Sequence, residues 1–401
     1  MDTPLRSYTT KFIEILKHYP EMHFIMGPRQ VGKTTITTQM QNFFDRSLYL
    51  NWDVEDHREL ILKGQRFIED IFPSHQLGPK PLIIFDEIHK YKPWKNFLKG
   101  FYDLYKNHYH VVVSGSAHLN VFQKGGDSLM GRYMPFSIHP FSVGELGPKA
   151  LDDMLRTPYN GGDMLNTLMD FGGFPAPFLA KDPTFYERWR RTRRSQLFRE
   201  DIRDMTSIHD MAQLEVCAQL LTHQSGQIVN RSAISKKLQV TIQTIGRWLE
   251  VLKQFFYCFT LPPWSRNIPH SLIKEPKVFI HDWSLVKDKG ARFENLVGCH
   301  VKKSVDYWND MGKGTFDVFF LRDKQQREVD FVVTRDNEPW FLVEVKCKET
   351  KLSPALSYFK EKTKAPYAFQ VVKDLPYVEA DCFEKPGTFV VPASTFLSQL
   401  V

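Results

Sequence analysis

The nine residues Gly27-Pro28-Arg29-Gln30-Val31-Gly32-Lys33-Thr34-Thr35 set two glycines around four intervening residues, then a lysine and two hydroxyls. That spacing belongs to loops that cradle a polyphosphate. Just before it, Met22-His23-Phe24-Ile25-Met26 is a short apolar run suited to a buried strand. After it, residues 35–44 contain neither proline nor glycine and read as a helix. In such a strand–loop–helix the backbone N–H groups converge on the phosphates, and the helix N-terminus adds positive potential. All nine residues are therefore expected to hold ATP. Lys33 would reach the β- and γ-phosphates, and the Thr34 hydroxyl would take one Mg²⁺ position. The bland alternative is an ordinary glycine-rich turn, and the flanking strand and helix weigh against it.

More of an α/β core follows. Ser47-Leu48-Tyr49-Leu50-Asn51-Trp52 reads as a second strand, and Pro81-Leu82-Ile83-Ile84-Phe85-Asp86-Glu87 as a third, apolar throughout until its two carboxylates. Continuous apolar runs suit parallel strands covered on both faces. Open α/β sheets place ligands at the C-terminal ends of their strands. Asp86 is expected to hold Mg²⁺ and Glu87 to polarise the attacking water. The next strand, residues 110–116, ends in small polar residues; Ser116, rather than Ser114, is expected to sense the γ-phosphate. Arg132 reads equally as an arginine finger reaching into a neighbouring subunit's site or as a surface arginine, with Arg29 and Arg292 as other candidates for the finger.

At 401 residues the chain has room for two to four domains. With 42% hydrophobic and 25% charged residues it has the composition of a soluble globular protein, and its net charge of +7 is compatible with nucleic acid without requiring it. Five scattered cysteines without a CxxC pair suggest reduced thiols and a cytoplasmic setting. No apolar stretch approaches the ~18 residues of a membrane span, and the first residues lack a signal-peptide core.

The GPRQVGKTT loop, the IIFDEIHK strand, VSGS, the GR…PFS…GEL run and Phe171-Gly172-Gly173-Phe174-Pro175 together resemble the prokaryotic AAA-type ATPases with a C-terminal DUF4143 region. The resemblance runs along nearly the whole chain. It implies an AAA ATPase core and an oligomer, most simply a hexameric ring of identical chains.

Between Gly161-Gly162 and the prolines Pro175 and Pro177 lies a helical region expected to lid the nucleotide. The segment from Arg188 to Arg199 then holds six arginines and no acid. It reads as a solvated helix face, a subunit interface, or a phosphate-contacting surface in which Arg188, Arg191 and Arg194 would meet DNA. Further on, a helix over residues 231–238, the turn Gln239-Val240 and a Thr241-capped helix over 242–255 precede an apolar β segment, the pattern of a winged helix-turn-helix. Its second helix would present Thr241, Gln243, Thr244 and Arg247, with residues 262–267 as the wing tip. Such modules bind DNA or dock proteins.

In the last 110 residues, Glu294 lies on an amphipathic helix, Asp330 near the start of a strand, and Glu344 and Lys346 on one face of Phe341-Leu342-Val343-Glu344-Val345-Lys346. This segment resembles the PD-(D/E)xK nucleases. The resemblance implies Mg²⁺ or Mn²⁺ held by Asp330 and Glu344, support from Glu294, and Lys346 steadying the attacking hydroxide. The alternative is a domain of this shape kept for folding or docking.

The expected fold is thus α/β throughout. It comprises a P-loop AAA-type ATPase core (1–150), a helical lid with the arginine-rich helix (151–205), a winged helix-turn-helix (206–285) and a restriction-endonuclease-like domain (286–401). Three functions fit: an ATP-hydrolysing protein that remodels or translocates on DNA, branched or single-stranded, and also cuts it; a motor of helicase or branch-migration type that never cuts; or a nucleotide-switched signalling ATPase whose winged helix docks a protein.

Overall fold

The computed structural model describes residues 6, 9–73, 78–115, 129–147, 154–203, 206, 208, 210–265 and 275–401. The chain folds as two compact units, the first ending at His139 and the second beginning at Pro140.

The first unit contains α1 (Thr9–His18), β1 (Met22–Met26), α2 (Lys33–Met40), β2 (Ser47–Asn51), α3 (Glu55–Leu62), α4 (Phe67–Ile71), β3 (Leu82–Asp86), α5 (Trp94–Tyr105), β4 (His110–Ser114) and β5 (Tyr133–Ser137). Its five strands form one parallel sheet in the order β2-β3-β4-β1-β5. The apolar runs seen in the sequence become β1 and β3, in which every residue is buried. Helix α5 covers the sheet with Trp94, Phe97, Leu98, Phe101, Tyr102 and Tyr105, the i, i+3, i+4 stripe of an amphipathic helix. Phe85 of β3 meets the edges of Phe97 and Phe101 at 5.6 and 5.3 Å. Each such ring, taken out of water, contributes about 1.5–3 kcal/mol. Helix α2 starts at Lys33, earlier than expected, because Gly32 at φ 97° turns the chain into it.

The second unit opens with α6 (Gly162–Phe171), α7 (Pro175–Ala180) and α8 (Pro183–Gln196), the arginine-rich helix. Asp182 caps α8 by accepting from the N–H groups of Thr184 and Phe185, and Pro183 starts its first turn. The helix runs on as a π turn over Leu197–Ile202. Next come α9 (Met211–His223), α10 (Arg231–Leu238) and α11 (Ile242–Gln254), followed by the antiparallel pair β6 (Cys258–Leu261) and β7 (Lys277–Ile280). Left-handed Gln239 ends α10, and Thr241 caps α11 through the Thr244 N–H. A long helix, α12 (Lys289–Asp310), leads to β8 (Phe316–Arg322), β9 (Glu328–Arg335), β10 (Glu338–Lys346), α13 (Pro354–Thr363), β11 (Tyr367–Val372), β12 (Gly387–Pro392) and α14 (Ala393–Gln399). The second sheet has the order β12-β11-β10-β9-β8, antiparallel from β8 to β10 and parallel from β10 to β12.

One expectation changes here, and one peptide has a place the sequence did not suggest. Residues 262–264 are not a free wing tip: Pro263 bridges Phe320, and the Trp264 N–H donates to the Phe320 carbonyl at 2.7 Å, so the segment is stitched to β8. The peptide 140–147, read as the end of the ATPase core, is held in the second unit. There the Lys303 ammonium of α12 donates to the Pro140 carbonyl, the Ser142 hydroxyl and the Glu145 carboxylate, all buried.

His23, in the middle of β1, is 1% exposed, and neither ring nitrogen has a partner among the described residues. Burial, with a smaller contribution from His110, pushes its pKa down to about 3. The unfolded chain takes up a proton near pH 6.5 that the folded chain refuses, so this stability is complete above that pH and lost as pH falls. Replacing His23 with Leu should therefore flatten the acid limb. In thermal or denaturant unfolding between pH 6.5 and 5, wild type should lose about 1.4 kcal/mol per pH unit more than His23→Leu.

Candidate functional site

The loop between β1 and α2 is shaped by neighbours that leave no room for side chains. A Cβ on Gly27 would lie 2.3 Å from the Ile138 carbonyl oxygen, and Gly27 holds φ 157°. Arg6 fastens the loop from beneath, donating to the Val31 carbonyl at 3.0 Å and the His139 carbonyl at 2.7 Å. Val31 is fully buried, while Arg29 and Gln30 are exposed at the loop's crest. The Lys33 ammonium, itself buried, turns onto the Gly27 and Pro28 carbonyls at 3.0 and 2.9 Å. A polyphosphate in the loop would compete with those two carbonyls for it.

Asp86, at the C-terminal end of β3, collects hydroxyls. It accepts from Thr34 at 3.0 Å, and from Tyr49 and Ser114, each at 2.5 Å. Thr34 and Asp86 thus set a hydroxyl and a carboxylate side by side, an oxygen pair that fits Mg²⁺. When bound, that ion would neutralise charge between phosphates. Glu87 follows in a left-handed conformation at φ 56°, its N–H held by the Ser114 carbonyl at 3.0 Å. A non-glycine residue there costs about 1 kcal/mol and aims the carboxylate away from the strand's own line. Burial and the nearby Asp86 raise the Glu87 pKa, while Lys90, at 3.3 Å, works against them. A carboxylate raised toward neutrality is a better proton acceptor for a water at working pH.

Ser116 lies outside the described residues; the serine found against Asp86 is Ser114. Arg132 sits just before β5, whose first residue pairs with Met22 at the start of β1. That is the end of the parallel sheet opposite the phosphate loop, and Arg132 there is bound to Asp103 at 2.9 Å. It does not reach the site of its own chain. Arg292, in the second unit, donates to the Val286 and Met169 carbonyls.

The acidic residues of the second unit do converge, around a lysine. The Lys277 ammonium of β7, 2% exposed, lies 2.6 Å from Glu328, 3.3 Å from Glu294 and 3.6 Å from Asp330. Burial alone would lower the Lys277 pKa; the three carboxylates outweigh it and hold the ammonium charged. Burial and Asp330 push Glu294 and Glu344 above the usual carboxylate range. Asp330 also accepts from the Val345 N–H at 2.8 Å, and Lys346 pairs with Glu344 at 2.8 Å. The expected set Glu294, Asp330, Glu344 and Lys346 is therefore brought together, but an ammonium stands among the carboxylates where Mg²⁺ or Mn²⁺ was expected. An ammonium and a divalent cation exclude one another by charge and by space, so these residues do not fit a metal in this arrangement. Among the described residues no group of three or more His, Cys, Asp or Glu could hold a metal ion.

Residues 19–147 match the AAA domain family, and residues 289–396 the domain of unknown function DUF4143. The chain carries an AAA ATPase domain and a C-terminal DUF4143 domain. Residues 162–289 of this ATPase match a further domain of unknown function, DUF8612. No curated protein matches it. Among solved structures, the Walker-type ATPase paby2304 of Pyrococcus abyssi is 14% identical with a TM-score of 0.42, over 71% of this chain and 94% of that one. AMPPCP-bound DnaA from Aquifex aeolicus is 13% identical, TM-score 0.31, over 62% and 86%. RuvB of Thermotoga maritima is 15% identical, TM-score 0.29, over 63% and 87%.

Three parts of the ATPase carry no motif that would have exposed them. Arg6 stands twenty-one residues ahead of Gly27. Tyr49 reads as one more strand residue, yet ends on Asp86. Lys277 sits in an apolar stretch, and its one signal is a charge where β7 is otherwise hydrophobic. Among the described residues no helix is long and apolar enough to cross a membrane.

Ser114→Ala should lower the ATPase kcat about 10²-fold, the usual cost of one positioned donor, while nucleotide affinity changes little. Lys277→Met, which strands three carboxylates, should destabilise the second unit by about 3–5 kcal/mol near pH 7.5. The deficit should shrink as pH falls and Glu294, whose pKa burial and Asp330 raise, takes a proton, as read by thermal unfolding of variant and wild type.

Proposed function

We propose that this ATPase is a DNA-binding remodelling protein of the non-cutting kind, an ATP-driven motor whose C-terminal domain docks and does not cleave. The observation that carries the non-cutting reading is Lys277 among Glu294, Glu328 and Asp330. The DNA reading rests on the helices α10 and α11 with the β6–β7 ribbon, taken as a winged helix over 206–285. On α11, Thr241, Gln243 and Arg247 are exposed and Thr244 half-exposed; on α10, Lys236 and Lys237 are exposed. Helix N-terminal residues of this kind meet base edges, and lysines alongside meet phosphates. Arg188, Arg191 and Arg194 are exposed on α8 and would extend the phosphate-contacting surface. Within this reading residues 151–205 carry the arginine-rich helix, and residues 286–401 are the docking domain. Asp330, Glu344 and Lys346 serve its internal charge balance. Arg132, remote from its own phosphate loop, suits a role toward another copy, which favours a homo-oligomeric ring.

The decisive experiment measures ATP turnover with linear, forked and four-way DNA, and follows the DNA itself with Mg²⁺ or Mn²⁺. DNA should raise turnover several-fold, Lys33→Ala should abolish it, and no strand should be cut. Arg247→Ala should weaken DNA binding and reduce the salt slope of log Kd by about one. Turnover indifferent to every DNA form would return the protein to the signalling class. Cutting lost in Asp330→Asn would restore the nuclease.

A further inference from the structure

A cavity of about 390 Å³ opens in the second unit between α8, α9 and the segment after β7. Its size falls within the range of small-ligand sites. Arg190, Arg191, Arg193, Arg194 and Lys287 line it, against the carboxylates of Glu215 and Asp282. Five cations face these two acids, and Arg190 is matched by Glu187 at 2.6 Å, which leaves an excess of two positive charges around one concave space. Such an excess is costly to maintain in a recess and is relieved by an anion.

The cations are not equivalent. Arg193 is held in place: its guanidinium lies 3.8 Å from the Phe174 ring centre, 5.5 Å from that of Trp189, and 3.5 Å from the Asp282 carboxylate. Its Nε is buried and finds no partner among the described residues. A guanidinium fixed by stacking, with a donor unused, is pre-organised for an oxyanion. Arg194 pairs with Glu215 at 2.9 Å at the rim. Arg191 is exposed, with Arg190 half-buried beside it. The π turn at Leu197–Ile202 follows at once, and Leu197 and Phe198 form part of the wall. Interruptions of this type recur at functional sites.

We propose that this cavity binds a phosphomonoester, the terminal phosphate of a nucleotide or of a DNA strand. A phosphate dianion matches the fork geometry of paired guanidiniums, and its charge offsets most of the excess. Thr222, His223 and Tyr257 also line the space, and the site is assigned a binding role alone. The DNA-end form of this inference rests on the DNA reading above; the binding of a phosphomonoester as such does not.

The test uses the full chain with its phosphate loop filled by saturating MgADP, so that only other sites respond. Three probes are titrated: inorganic phosphate, AMP, and fluorescent dT8 with either a 5′-phosphate or a 5′-hydroxyl. Binding of phosphate or AMP, or a preference of at least tenfold for the phosphorylated strand, is expected. Arg191→Ala and Arg193→Met should each weaken it at least tenfold. Lys63→Ala, which removes an exposed cation of the first unit away from the cavity, should leave it unchanged. Arg191 is exposed, so Arg191→Ala keeps the fold if Arg193→Met does not. Tight phosphate or AMP binding without a strand preference identifies a small-molecule site, and a strand preference identifies an end-binding site; both support the proposal. Equal affinity for phosphorylated and hydroxyl strands with no binding of phosphate or AMP overturns it, as does equal weakening by Lys63→Ala. Because the readout is binding alone, ATP turnover that ignores DNA would sink the motor and leave this result standing.

Discussion

A polyphosphate site of this kind needs a lysine and a pair of carboxylates at one end of a sheet, but not on neighbouring strands. Adjacent strands lie about 4.8 Å apart, too close for a phosphate chain and an activated water between them. The first unit meets the need by inserting β4 between β1, which leads to Lys33, and β3, which ends in Asp86 and Glu87. The inserted strand is not idle, since its last residue, Ser114, donates to Asp86 and offers its carbonyl to the Glu87 N–H. The parallel arrangement follows as well, because only parallel strands deliver every one of these residues to the same end.

Much of this site was legible in the sequence, for a physical reason. A loop that must expose its N–H groups tolerates few residue types, and a strand buried on both faces must be apolar until it reaches its polar tip. Both constraints leave local marks, at Gly27–Thr35 and at Leu82–Glu87. Tyr49 and Arg6 left none, because each acts across a gap in sequence, Tyr49 through one hydrogen bond to Asp86 and Arg6 through two to backbone carbonyls. Ser114 shows the limit from another side: two serines near the end of one strand carry the same local signal, and its hydrogen bond to Asp86 is set by the register of β3 against β4.

The C-terminal domain shows how a pattern along one stretch can miss a residue that changes its surroundings. Asp330, Glu344, Lys346 and Glu294 do meet, as their spacing suggested. Spacing along one stretch cannot reveal a residue delivered from another, and Lys277 enters from β7, fifty-three residues ahead of Asp330. With the ammonium inside, the carboxylates tie the ribbon to the second sheet through ion pairs at 2.6–3.6 Å.

Arg6 gives the first unit a property that no single motif describes. One guanidinium grips both the Val31 carbonyl of the nucleotide loop and the carbonyl of His139, the last residue before the chain leaves the unit. The Ile138 carbonyl presses on Gly27 from the same exit peptide. Loop and exit peptide therefore share one clamp, and removing the Arg6 guanidinium would release both at once.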